Sequence, residues 1–343
     1  MTRSMIRGLG ALSLIALGTS TASTPAAAAP LGPMVDCTVR ANENDVKCSS
    51  STAGTVGSGP KFRGGLTTQV NHGFVSGNQL VVAVEFTASD DDLGGIFGID
   101  LTTGKRTLLS GKIKDPVDGD VVKGTGKSLN MVRDVAPAPN GTWVAYATQS
   151  NTANRVLVSI DPATGNRKTF FDEAQSTCAG MTPKTMFDPT AGITVGADGA
   201  TYAVLNNFPQ SSGKGIARIT PDGKCSVVTL SASATNKGTG PDVIGSFLYN
   251  PTFRGDSLYL LQFNTHPSVL AIDPKTGNRR MISSADKGTG PDPAGDSLAV
   301  APDGTIWTYN GYRSGVYGLV SIDPVSEKEN LAGSVGQAPL VLG

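Results

Sequence analysis

The sequence predicts an all-β fold: a β-propeller of six four-stranded blades, the ring closed by strands from the N and C termini. Three observations predict it. The first is a recurring hairpin pattern in which an apolar run leads through Asp, Pro and Gly to a basic residue and a second apolar run. It reads GIDLTTGKRTLLS from Gly98, VSIDPATGNRKTFF from Val158, RITPDGKCSVVTL from Arg218, AIDPKTGNRRMIS from Ala271 and SIDPVSEKENLAG from Ser321. Gly, Asp, Asn and Pro supply turn dihedrals that the flanking β-branched residues cannot adopt. The second is spacing, since hairpins recurring at roughly 50 to 60 residues read as an array. The third is another hairpin ahead of each, turning at Gly77-Asn78, Asn140-Gly141, Asp198-Gly199, Gly255-Asp256 and Asp303-Gly304. Four short strands per unit, with no helical periodicity, indicate propeller blades rather than a helical solenoid.

The chain begins with Arg3 and Arg7, an apolar stretch from Leu9 to Leu17 and a small-residue tract from Thr21 to Ala29. Basic, apolar and small-residue regions in that order read as a secretory signal peptide over residues 1–29, cleaved near Ala28. The apolar stretch is shorter than the roughly 20 residues a bilayer requires, and no later run is apolar enough to insert. Residues 30–343 are then one propeller domain, exported to the periplasm or beyond the cell and expected to be monomeric. Of 343 residues, Lys+Arg and Asp+Glu number 28 each, so no net field favours nucleic acid. The pieces VDCTVRA and NDVKCSS near the N terminus and VGQAPLVLG at the C terminus are strand-like. Pairing them into a sixth blade, with Leu340 and Val341 innermost and residues 35–50 as its outer hairpin, leaves no sheet edge open. Four cysteines allow three disulfide connectivities. Cys37 and Cys48 flank a polar centre and suit a hairpin closed by its own bridge, which leaves Cys178 and Cys225 to pair around the third repeat.

Turns inside the hairpins are short and regular, whereas the alternate connections are long and varied: ASDDDLGG, QSNTANR, NNFPQSSGKG, FNTHPS and YNGYRSG. In a meander the two kinds lie at opposite ends, so the long ones share a face, where binding is expected. Phe263, Asn264, Tyr309 and Tyr312 fall in or beside those connections and are candidates to contact a protein, glycan or small molecule. The Gly-rich segments at Lys123–Lys127, Lys237–Pro241 and Lys287–Pro291 lack the helix a phosphate loop needs. They are read as tight blade-to-blade crossovers. Aligning the units places Asn71 and His72, Asp134, Asp188, Asn250 and Asp296 at the channel-facing starts of the innermost strands. A ring of carboxylate and amide oxygens is what Ca2+ or another hard divalent cation requires. Asp90, Asp91, Asp92, Asp115, Asp118 and Asp120 form a second acidic group, read first as a solvated rim.

The Ile-Asp-Pro-x-Thr-Gly-x-Arg pattern followed by Lys-Gly-Thr-Gly-Pro resembles bacterial propellers related to NHL-repeat and streptogramin-lyase-like proteins, and neighbours the gluconolactonase (senescence-marker) superfamily. The resemblance spans almost the whole mature chain and rests on turn motifs, so it implies fold more than activity. From the gluconolactonase-like enzymes it implies a divalent ion held by acidic and Asn residues at the channel mouth, polarising a lactone or ester carbonyl. From the streptogramin lyases it implies a histidine in base chemistry, for which this sequence offers His72 and His266. The sequence lacks a nucleophile elbow and zinc spacings. It therefore reads first as a non-catalytic binding or scaffold propeller, with a metal-dependent lactonase-like hydrolase or lyase as the alternative.

Overall fold

The computed structural model describes residues 35–40, 45–48, 68–86, 94–115, 119–149, 155–176, 178, 187, 191–205, 214–231, 237–243, 247–263, 267–284, 286–290, 293, 298–301, 303–310, 318–334 and 340–342. Two strands open the chain, β1 (Val35–Arg40) and β2 (Asp45–Cys48). The first blade is β3 (Thr68–Ser76), β4 (Gln79–Phe86), β5 (Gly94–Asp100) and β6 (Arg106–Asp115), extended by β7 (Gly119–Lys123). The second is β8 (Leu129–Pro137), β9 (Trp143–Gln149), β10 (Arg155–Ile160) and β11 (Arg167–Asp172). The third is β12 (Ile193–Val195), β13 (Thr201–Leu205), β14 (Lys214–Ile219) and β15 (Cys225–Ser231). The fourth is β16 (Phe247–Arg254), β17 (Ser257–Phe263), β18 (Ser268–Ile272) and β19 (Arg279–Ser284). The fifth is β20 (Leu298–Val300), β21 (Ile306–Asn310), β22 (Gly318–Ile322) and β23 (Glu329–Ser334), after which β24 (Leu340–Leu342) ends the chain.

The blade count departs from the sequence expectation. Among the described residues there are five blades of the four-stranded kind, not six, and the remaining strands form a three-stranded sheet in the order β2-β1-β24. The physical reason is strand supply: the described terminal strands are one hairpin and one three-residue strand, one strand short of a blade. In that sheet Cys37 stands opposite both Cys48 and Leu340. The signal-peptide segment, residues 1–29, lies outside the described residues. No helix among the described residues is long and apolar enough to cross a membrane.

The blades pack face to face because their strands are apolar on both sides. In β9, Trp143, Ala145 and Ala147 join Phe74, Val81 and Ile96 of the first blade. The intervening Val144 and Tyr146 join Ile193, Ala203 and Leu205 of the third. The same alternation in β13 sends Tyr202 and Val204 toward Leu258 and Leu260 of the fourth blade. In β17 it sends Leu261 toward Leu298, Ile306 and Val320 of the fifth. A period of two thus feeds two separate cores from one strand.

Short turns occupy one end. Gly77-Asn78 and Gly255-Asp256 are two-residue turns, closed by the pairs Ser76–Gln79 and Arg254–Ser257. Asn140-Gly141, expected as a two-residue turn, sits instead in a five-residue turn in which Ala138 N–H donates to Thr142 O at 2.8 Å. Asn140 Oδ1 accepts from the Thr142 hydroxyl at 2.7 Å, so the side chain closes the turn. In the turn of the second hairpin, Asp161 accepts from Ala163 N–H at 2.9 Å and the Thr164 hydroxyl at 2.8 Å. Asp273 repeats this with Lys275 N–H and Thr276, and Asp323 with Val325 N–H and Ser326. These donors hold the carboxyls of Asp161, Asp273 and Asp323 below the ordinary carboxylate range. The recurring aspartate is a turn cap.

One position in each of the last four blades, the first residue of the outermost strand, reaches back to the connection from the preceding blade. In the second blade it is Arg167, whose guanidinium donates to Lys123 O at 2.8 Å and Lys127 O at 3.0 Å. In the fourth it is Arg279, donating to Lys237 O at 2.9 Å, Pro241 O at 2.6 Å and Thr229 Oγ1 at 2.5 Å. Beside each arginine an asparagine accepts from the loop threonine: Asn166 from Thr125 and Asn278 from Thr239. In the third blade the position is Cys225, joined to Cys178 by a disulfide. In the fifth it is Glu329. The Gly-Thr-Gly segments are therefore crossovers clasped by the next blade.

Glycine is required where these loops touch. Gly238 has φ +79°, and a Cβ there would overlap Gly277 O of the next blade. Gly238→Ala is expected to cost about 2 kcal/mol, from left-handed strain plus a backbone overlap. Gly255→Ala, at φ +56° with open space around it, is expected to cost about 1 kcal/mol. Urea midpoints at unchanged m-value check both.

Candidate functional site

The innermost strands of the five blades surround a cavity of about 160 Å³ lined by His72, Asp134, Thr194, Arg254 and Leu298, among others. It lies in the half of the channel nearer the short turns. Register shifts shape its wall: between Val70 and Gly73 the two residues Asn71 and His72 stand against one of β4, and β8 is bulged between Asn130 and Asp134. A third shift falls between Tyr249 and Thr252 of β16. Inside the β8 bulge Met131 takes φ 44°. Bulges on inner strands re-aim side chains that regular alternation would hold in register.

Asp134 is 3% exposed. Its Oδ1 accepts from Val135 N–H at 2.7 Å, and its Oδ2 from Ile193 N–H of the third blade at 2.6 Å. Burial pushes its carboxyl up to about 7, against the pull of those two amides. The side chain therefore ties the inner strand of one blade to that of the next. Thr252 does the same two seams further on, between the fourth and fifth blades, its hydroxyl donating to Leu298 O at 3.2 Å. His72 faces the same cavity, and burial lowers its imidazole to about 4, so it is neutral at pH 7.

Of the residues singled out in sequence, the structure brings His72 and Asp134 into one cavity. Asn71 and Asn250 lie on the inner strands β3 and β16, and Tyr309 lies in β21 next to its last residue. Phe263 ends β17, half-buried, at the end bearing the long connections. Asp188, Asp296, His266, Asn264 and Tyr312 lie outside the described residues, as do Asp90, Asp91, Asp92 and Asp118. Asp115 ends β6, and Asp120 makes an exposed ion pair with Lys112 at 2.9 Å. Among the described residues, no three His, Cys, Asp or Glu side chains gather into a metal-binding group.

Sequence reading missed Arg254 and Thr194 in the cavity wall, and nothing in their local sequence marks them. It also missed a wider hollow of about 400 Å³ between the second and third blades at the short-turn end, lined by Asn140, Ser159, Lys168, Phe170 and Asp198. That aspartate is engaged by Arg218 at 2.7 Å.

Solved structures match the fold at low identity. The chain superposes on TolB from Acinetobacter baumannii with a TM-score of 0.50 and 14% identity, covering 90% of this chain and 65% of TolB, just under two thirds of that protein. A protein of unknown function from Bacteroides caccae matches with a TM-score of 0.51 and 12% identity over 88% of this chain and 93% of that one. A gluconolactonase from Xanthomonas campestris gives 0.47 and 15% over 91% and 89%. No protein-family model matches the chain, and no curated protein matches it in sequence. The resemblance to bacterial β-propellers holds at the level of the fold.

Proposed function

We propose that this chain is an exported, non-catalytic binding propeller that takes a protein, glycan or small molecule on the end carrying its long connections. The observation that carries this reading is how the acids are used. The turn aspartates Asp161, Asp273 and Asp323 are consumed by their own turns. Asp134, the one carboxylate among the described residues of the cavity wall, is held by two backbone amides. Neighbouring second strands finish at the opposite end, at Phe263 and at Tyr309-Asn310, and Asn264 and Tyr312 follow within two residues in sequence. Aromatic side chains give large contact area for little lost entropy. Passage through the 1–29 leader into an oxidising compartment belongs to the same reading, and the Cys178–Cys225 disulfide supports it.

The second reading is a divalent-metal-dependent lactonase- or esterase-like hydrolase or lyase. It is favoured by one observation, a carboxyl raised to about 7 and an imidazole lowered to about 4 in the same cavity. Screening glycan and peptide arrays with the mature protein separates the two. A Phe263→Ala/Tyr309→Ala/Tyr312→Ala variant is expected to lose about tenfold or more in affinity, some 1.4 kcal/mol, at unchanged melting temperature. Hydrolysis of lactone or ester substrates that disappears in His72→Ala would replace the first reading with the second.

A further inference from the structure

The outermost strand of each of the last four blades begins with a residue that ties it to the preceding connection, and the tie changes chemistry along the chain. Two ties are guanidinium to carbonyl, through Arg167 and Arg279, and one is covalent, through Cys225. At the seam of the fourth and fifth blades the same position holds Glu329, an acceptor where the other seams have a donor or a bond.

The local geometry is otherwise conserved. Glu329 N–H donates to Thr289 O at 3.2 Å, as Arg279 N–H donates to Thr239 O at 2.7 Å. Lys287 Nζ donates to Met281 O at 2.8 Å, as Lys237 Nζ donates to Val227 O. Glu329 is 6% exposed. Its Oε1 accepts from the Ser283 hydroxyl at 2.5 Å, and Ser283 holds the repeat position of Thr229, which receives Arg279. Its Oε2 is buried with no hydrogen-bond partner. The carboxylate lies so close over Gly288 that a Cβ there would overlap it. Lys287 is not its counter-ion: the ammonium pairs with Glu327 at 2.8 Å. Lys287 and Gly290 are the counterparts of Lys237 and Gly240, whose carbonyls accept from Arg279. A buried carboxylate has thus replaced a guanidinium in front of a loop that elsewhere presents carbonyl oxygens. A carboxylate oxygen buried without a partner beside such a loop calls for a positive group.

We propose that a hard divalent cation of the calcium class occupies this seam, replacing the guanidinium. Glu329 supplies the charge, and Ser283 Oγ with the carbonyls of Lys287 and Gly290 supply neutral oxygens, water completing the shell. The site is separate from the central cavity and ties the fifth blade to the fourth as Arg279 ties the fourth to the third.

The test is calcium titration of chelator-treated mature protein, by calorimetry and by thermal melting. Wild type is expected to bind one calcium per chain at this seam and to melt about 5 °C higher at about a hundredfold excess over the dissociation constant. Glu329→Gln, which keeps the shape and the Ser283 contact, is expected to lose that binding and that shift. Lys328→Asn/Glu329→Arg, which writes the Asn-Arg pair of the other seams into this one, is expected to melt near calcium-loaded wild type with no response to calcium. Calcium binding and a shift retained in Glu329→Gln would place the ion elsewhere and overturn the proposal. So would wild type that binds no calcium and melts no higher than Glu329→Gln.

Discussion

Arg279→Ala is expected to destabilise the protein by about 4 kcal/mol, although Arg279 touches neither cavity nor ligand face. Arg279 is 7% exposed, and its guanidinium donates to Thr229 Oγ1 of β15 and to Lys237 O, Gly240 O and Pro241 O of the connection that follows it. Bonds from a charged donor contribute about 1.5–3 kcal/mol each, and truncation leaves several carbonyls of a part-buried seam without this donor. Among the described residues no carboxylate reaches the side chain at salt-bridge distance; burial lowers its pKa, and the charge of nearby Asp242 pulls weakly the other way. Arg279→Lys should recover less than half of the loss, because an ammonium cannot span the acceptors a planar fork reaches. Arg280→Ala is the control: its exposed pair with Glu327 at 3.6 Å should contribute about 0.5 kcal/mol or less. Urea unfolding compares the three. Equal costs for Arg279→Ala and Arg280→Ala would remove the clasp from the account.

His72→Gln is expected to uncover a pH dependence that wild type conceals. Asp134 rises from 3.8 to about 7 on folding, so between those values the native state holds a proton the unfolded chain has released. Its contribution is full below about 4 and is lost as pH rises toward 7. His72 falls from 6.5 to about 4, so between those values the native state lacks a proton that the unfolded chain binds. Its contribution is full above about 6.5 and is lost as pH falls toward 4. Each slope is about 1.4 kcal/mol per pH unit, and they cancel where the windows overlap. Relative to wild type, His72→Gln should therefore lose about 3 kcal/mol of stability between pH 4 and 6.5, and Asp134→Asn should gain a comparable rise over the same interval. Difference curves, variant minus wild type, isolate these terms from other titrating groups. Parallel curves for both variants would show that neither group has the environment described for it.

What the sequence made legible was local. The hairpin turns, the period and the crossover role of Lys237–Pro241 follow from residues within a few positions of one another, where Gly, Asp and Pro fix the backbone. The Cys178–Cys225 pairing was legible by elimination. The meeting of the two chain ends was legible as well, since Val35–Cys37 pairs with Leu340–Leu342, but the blade count was not, because it depends on whether those segments supply a fourth strand. Channel-facing positions were legible for Asp134, but its role was not: its second partner, Ile193 N–H, is 59 residues away and belongs to another blade. The equivalence of Arg167, Cys225, Arg279 and Glu329 was hidden for the same reason. Arginine, cysteine and glutamate show a common task only when each is seen against the preceding connection.

The central claim is that the polar groups of the cavity serve the ring and that recognition lies at the long-connection end. It is tested most directly by incubating an array-identified ligand with wild type and with His72→Gln, following the ligand by NMR. The account predicts an unaltered ligand and affinity within about twofold between the two proteins, a difference of some 0.4 kcal/mol. A chemically converted ligand, with conversion abolished in His72→Gln, would contradict it and make the cavity an active site.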